Sequence, residues 1–72
     1  MGSKYPVLKS SEIIRVLKSF GFVFKSQKGS HAKYVKPPRT AIVPMHDEVA
    51  KGTLQSILEQ AGISLDSFMS KL

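Results

Sequence analysis

The chain contains no cysteine and no tryptophan, and from Ile13 to His46 it contains no aspartate or glutamate. The first absence excludes disulfides and thiolate-bound zinc and inclines the protein toward a reducing, cytoplasmic setting. Long apolar runs are missing as well. The longest, Phe20-Gly21-Phe22-Val23-Phe24, is far short of the roughly 20 residues that cross a bilayer. Met1 to Pro6 hold no apolar leader, and Pro6 breaks the myristoylation pattern that Met1-Gly2 opens. No membrane role is therefore expected. Internal repeats, low-complexity tracts and phosphate-cradling glycine loops are absent too. A single domain is expected over residues 1–72, its core at about 9–69. Hydrophobic residues make up 42% of the chain. At roughly 1.5–3 kcal/mol per fully buried large side chain, that supports a small fold with little margin.

The acid-free stretch is rich in cations: Arg15, Lys18, Lys25, Lys28, Lys33, Lys36 and Arg39 all fall within it. The acids, Glu12, Asp47, Glu48, Glu59 and Asp66, lie outside, and the net charge is +6. One face should thus be much more positive than the rest. That imbalance suits an anionic partner such as nucleic acid or an acidic protein.

Periodicity gives the elements. Ser10 or Ser11 can cap a helix with Glu12 in its first turn. Ile13, Val16, Leu17 and Phe20 then recur at i, i+3, i+4 and i+7, with Arg15 and Lys18 on the wet side, until Gly21 ends the helix. Beyond Gly21 the period drops to two. Phe22, Phe24 and Ser26 alternate with Val23, Lys25 and Gln27, and a second run sets Ala32, Tyr34 and Lys36 against His31, Lys33 and Val35. A two-residue loop, Lys28-Gly29, would oppose Phe24 to Lys33. A three-residue loop, Lys28-Gly29-Ser30, pairs Phe24 with Tyr34 and Lys25 with Lys33, and is the one expected. It places His31, Lys33, Lys25 and Gln27 on the face away from the core. Pro37-Pro38-Arg39 turns the chain into a third strand, Thr40 to Val43, confined by Pro44 to an edge or an end. Met45 to Ala50 reads as a polar connector. A second helix opens near Gly52-Thr53, buries Leu54, Ile57, Leu58 and Ala61, and stops at Gly62. Ser64 caps a short terminal helix with a Leu65, Phe68, Met69, Leu72 stripe. The fold class expected is α+β. It has α-β-β-β-α order, a three-stranded antiparallel sheet with helices on one face, and a short C-terminal helix. That is the order of the double-stranded-RNA-binding fold.

His31 is the candidate for chemistry. An imidazole set among fixed cations can hold a phosphodiester and move its protons. As general acid/base it would take the proton of an RNA 2′-hydroxyl, whose oxygen then attacks the adjacent phosphorus to give a 2′,3′-cyclic phosphate. Lys28 and Lys33 beside it, with Lys25 across the strand pair, would offset the charge building on the phosphorane. Gly29 and Ser30 in the turn would let a phosphate approach the backbone. His46 is a secondary candidate, as proton donor to the leaving oxygen, because strand pairing returns it toward the His31 end. No metal site is expected, since only Asp47-Glu48 adjoin a histidine. A Ser30–His31 nucleophile pair is not expected either, since strand neighbours point to opposite faces. No cofactor is implied. Tyr34 and the phenylalanines are expected in the core.

Five pieces occur in order at fitting spacing: Ser11-Glu12-Ile13, Phe20-Gly21-Phe22, Lys28-Gly29-Ser30-His31, Val43-Pro44-Met45-His46, and Gly52-Thr53-Leu54 through Ile63. Together they resemble the HicA mRNA interferase toxins of HicA/HicB toxin–antitoxin systems, over about Lys9 to Phe68. The resemblance implies a double-stranded-RNA-binding-like fold, endoribonuclease action on mRNA with translational arrest, and a HicB-type antitoxin that covers the active site. The family's catalytic histidine carries over to His31. Ordinary duplex binders carry a lysine cluster at the start of the last main helix, where this chain has only Lys51. That departure fits action on single strands. A non-catalytic RNA-binding module using the same basic face is the alternative, and a docking domain for an acidic protein is the third reading.

Overall fold

The computed structural model describes residues 5–72; Met1 to Lys4, part of the stretch inspected for a leader, lie outside the described residues. The elements follow in the order α1 (Ser10–Ser19), β1 (Val23–Lys28), β2 (His31–Lys36), β3 (Arg39–Pro44), α2 (Lys51–Ala61) and α3 (Leu65–Met69). The strands form one antiparallel sheet in the order β1-β2-β3. This is the α+β architecture that the periodicity predicts.

The helices cover one face of the sheet. Ile13, Val16 and Leu17 of α1 and Leu54, Ile57, Leu58 and Ala61 of α2 pack with Ala32, Tyr34, Ala41 and Val43 from the strands. The strand residues alternate, with one dry side along β2 and along β3 as far as Val43; at the end of β3 the next residue, Pro44, is buried as well. All of β1 is exposed, because it stands beyond the helices at the edge of the sheet. The opposite edge is shielded: the Gln60 side-chain oxygen of α2 accepts the outward-pointing Ile42 N–H at 2.8 Å. Gly62 ends α2 in the left-handed region at φ +71°, as expected, and Ser64 caps α3 by accepting the Ser67 N–H at 3.1 Å.

Four local expectations are corrected. The N-cap of α1 is Lys9, not Ser10 or Ser11. The Ser10 N–H is drawn to the His46 carbonyl at 3.1 Å, which pulls the helix start back by a residue, and the Glu12 carboxylate accepts the Lys9 N–H at 2.9 Å. The connector is not wholly polar: Val49 is buried and donates its N–H to the Leu8 carbonyl, joining the N-terminal segment to the core. In α3 only Phe68 is fully buried, while Met69 and Leu72 remain largely exposed. Phe24, expected in the core, is 53% exposed and makes an edge-on contact with Tyr34 at 5.7 Å between ring centroids.

A fifth correction matters most for the site, because it changes the hairpin. Its loop is the two-residue Gly29-Ser30, closed by Lys28 opposite His31. Gly29 carries φ +60° and Ser30 does not share the positive φ, the requirement of a type II′ connection. Phe24 still pairs with Tyr34, because the register slips by one between Phe24 and Ser26 and leaves Lys25 as a bulged residue.

Candidate functional site

Residues directly opposite one another in an antiparallel sheet share a face, so the pairings assign each side chain. Three rows cross the outer face, away from the helices. They are Lys28–His31–Pro44, Ser26–Lys33–Ile42 and Val23–Val35–Thr40. On the helix side lie Gln27–Ala32–Val43, Phe24–Tyr34–Ala41 and Lys36–Arg39. His31 and Lys33 therefore share the outer face as expected, and Lys28 joins them. Gln27 does not: the bulge moves it to the helix side, where it remains exposed beyond the reach of the helices and donates to the Gly29 carbonyl at 3.1 Å. Lys25 pairs with neither Lys33 nor any other residue of β2.

The backbone at His31 is held from both sides. It starts the central strand, between Lys28 and Pro44, and the Met45 N–H donates to the carbonyl of Ser30 at 2.6 Å. Such bracing fixes the Cα–Cβ direction while the imidazole itself stays in water. Lys33 stands two residues along the same strand, about 6.6 Å away at roughly 3.3 Å per residue. Lys28 is the direct cross-strand neighbour. A phosphate placed over the imidazole is thus within reach of two flexible ammonium groups. No heavy atom lies within 4 Å of where a Cβ on Gly29 would stand, so the turn is open to solvent and to a ligand.

His46 lies two residues past Pro44, at the same end of the sheet as His31. Its backbone is engaged on both sides, N–H to Pro44 and carbonyl from Ser10, while the residue is exposed. Asp47 and Glu48 turn away and line a shallow groove with Val7, Leu8, Lys9 and Glu12. Among the described residues, no three His, Cys, Asp or Glu side chains group as a metal site, and no helix is long and apolar enough to cross a membrane.

The residues that sequence reasoning missed are the apolar half of the outer face, Val23, Val35 and Ile42, which adjoins the His31–Lys33 half. Their β-branched character was the available signal. The bulge changes the face of none of them, since Val23 precedes it and Val35 and Ile42 stand on the other two strands.

A family model described as the HicA toxin of bacterial toxin–antitoxin matches residues 10–63, three quarters of the chain. The chain belongs to the HicA toxin family. It is accordingly the toxin of a toxin–antitoxin pair, a protein that acts together with an antitoxin partner. No curated protein matches the chain. The HicA match opens at the first residue of α1 and closes just after α2, so it includes both histidines, the hairpin and the bulge. Helix α3 lies outside it, yet contributes Phe68, the largest fully buried side chain.

Proposed function

We propose that this HicA toxin is a metal-independent endoribonuclease that cleaves single-stranded mRNA in the cytoplasm and is silenced by a HicB-type antitoxin. His31 acts as general acid/base. The neutral ring accepts the proton of a 2′-hydroxyl, the 2′-oxygen attacks the adjoining phosphorus, and the 5′-oxygen departs with a proton from a donor on the other side. A 2′,3′-cyclic phosphate and a free 5′-hydroxyl result. The chemistry needs a base, an acid and positive charge near the phosphorane; on this reading His31 is the base and Lys28 and Lys33 bring the charge. Lys28 and Lys33 hold the scissile phosphate, Lys25 on the bulge meets a flanking one, and Gly29-Ser30 gives the strand room. His46 is the nearest candidate for the donor. The observation that carries this reading is the braced, solvent-exposed His31 between Lys28 and Lys33 on a wet sheet face.

RNA cleavage in EDTA by the wild-type chain and by His31→Ala tests it, with product 3′ ends assayed for cyclic phosphate. Cutting by wild type alone, with cyclic ends, is expected. Equal RNA binding with no cutting by either protein would reduce the toxin to a basic RNA-binding module.

A further inference from the structure

At the far end of the sheet from His31, a cleft of about 530 Å³ opens between the β2–β3 turn and the C-terminal ends of α1 and α2. Its size falls within the usual range for ligand sites. Phe20, Pro37, Pro38 and Ile63 supply apolar walls, Lys36 and Arg39 supply positive charge, and no acid lines it. The Lys36 ammonium gives one of its three protons to the Phe20 carbonyl at 2.7 Å, which leaves two donors. The Arg39 guanidinium lies flat over Gly62, its carbon 2.7 Å from where a Cβ would stand. None of the side-chain hydrogen bonds among the described residues uses Arg39.

We propose that this cleft is a second binding site, which docks a short acidic segment bearing apolar side chains from a protein partner. Carboxylates of the segment meet Lys36 and Arg39, and its apolar residues fill the space between the two prolines and Ile63. RNA fits this place less well. Lys36 and Arg39 are on the helix side of the sheet, opposite His31, and five strand residues from it, about 17 Å. A strand running over His31 would have to pass round the sheet to reach them. Of the two aromatic residues lining the cleft, Phe22 is buried and the Phe20 ring already carries the Lys71 ammonium at 5.7 Å from its centroid. A partner held here leaves the His31 face open, so anchoring and occlusion of that face become separable. The proposal rests on the toxin–antitoxin membership and not on the nuclease reading.

The test is NMR titration of the full ¹⁵N-labelled chain with an acetylated octapeptide alternating Glu and Leu, against one alternating Glu and Ser. A short oligouridylate is titrated separately into His31→Ala. Saturable shifts at Lys36, Arg39, Ile63 and Ser64, with Lys28 to Lys33 still, are expected from the Glu/Leu peptide only. Arg39→Gln should weaken that binding about tenfold. Ser67→Glu, which puts a repelling carboxylate at the mouth while completing a capping box with Ser64, should weaken it by about as much without loss of fold. Equal binding of the Glu/Ser peptide, shifts centred on Lys28 to Lys33, absence of saturable binding, or stronger cleft shifts with RNA would each overturn the proposal.

Discussion

Replacing Lys33 with glutamine in a His31→Ala background removes one ammonium from the outer face and touches no core residue, since Lys33 is exposed between Ser26 and Ile42. Single-stranded RNA bound through phosphates releases about 0.7 counterion per contact, which sets the slope of log affinity against log salt. If Lys25, Lys28 and Lys33 each meet one phosphate, that slope is about −2, and affinity falls roughly twentyfold between about 50 and 200 mM salt. Loss of Lys33 should reduce the slope to about −1.4. Lys51→Gln is the control. It sits at the start of α2, where duplex binders grip the backbone, and on this reading it meets no phosphate. Fluorescence anisotropy of a labelled oligoribonucleotide over a salt series measures all three slopes. An unchanged slope for Lys33→Gln, or an equal fall for Lys51→Gln, would refute the assignment of RNA to the outer face.

Three further outcomes bear on the scaffold. Phe68→Ala should cost about 3–5 kcal/mol, a large share of the stability of so small a domain, and urea denaturation will show whether α3 is integral although it lies beyond the family match. Gly62→Ala combines a left-handed backbone at φ +71° with a Cβ driven into Arg39, whereas Gly29→Ala, at φ +60° in open space, carries a backbone cost alone. Thermal melts should rank Gly62→Ala well below Gly29→Ala, and equal melting would show that Arg39 yields freely. Gln60→Ala removes the acceptor from the Ile42 N–H, with an expected cost of about 0.5–1.5 kcal/mol and a bare strand edge. Light scattering during refolding that matches wild type would count against the edge-shielding role.

Much of the architecture was legible because periodicity and punctuation agree. The stripe Ile13, Val16, Leu17 and the stripe Leu54, Ile57, Leu58, Ala61 each have one buried face, and Gly21 and Gly62 both take the positive φ that ends a helix. What was not legible depends on contacts distant in sequence. The start of α1 is decided by a hydrogen bond from Ser10 to His46, and no local capping rule contains that partner. Val49 looks like part of a polar connector until Leu8 pairs with it. Met69 and Leu72 obey the helical stripe, but α3 spans only Leu65–Met69, so Leu72 falls outside it and Met69 sits at its exposed last turn.

The hairpin shows how a site can be partly right for an incomplete reason. The aromatic contact sets Phe24 opposite Tyr34, and turn chemistry calls for a two-residue loop with glycine first. A regular ladder cannot satisfy both. Lengthening the loop is one resolution, and a bulge is the other. The bulge keeps a tight, twist-matched turn and leaves Lys25 unpaired, with extra local twist at the strand edge. His31 and Lys33 sit on the outer face under either resolution, because their side is fixed by the burial of Ala32 and Tyr34 in the same strand. Lys28 and Gln27 are not so protected. Their faces depend on how β1 is counted from the turn, and the bulge makes Lys28 the neighbour of His31 and sends Gln27 to the other side. The parts of a site on a strand with a dry face can therefore be read from alternation alone. Those on an exposed edge strand cannot, because no burial signal there marks where the register slips.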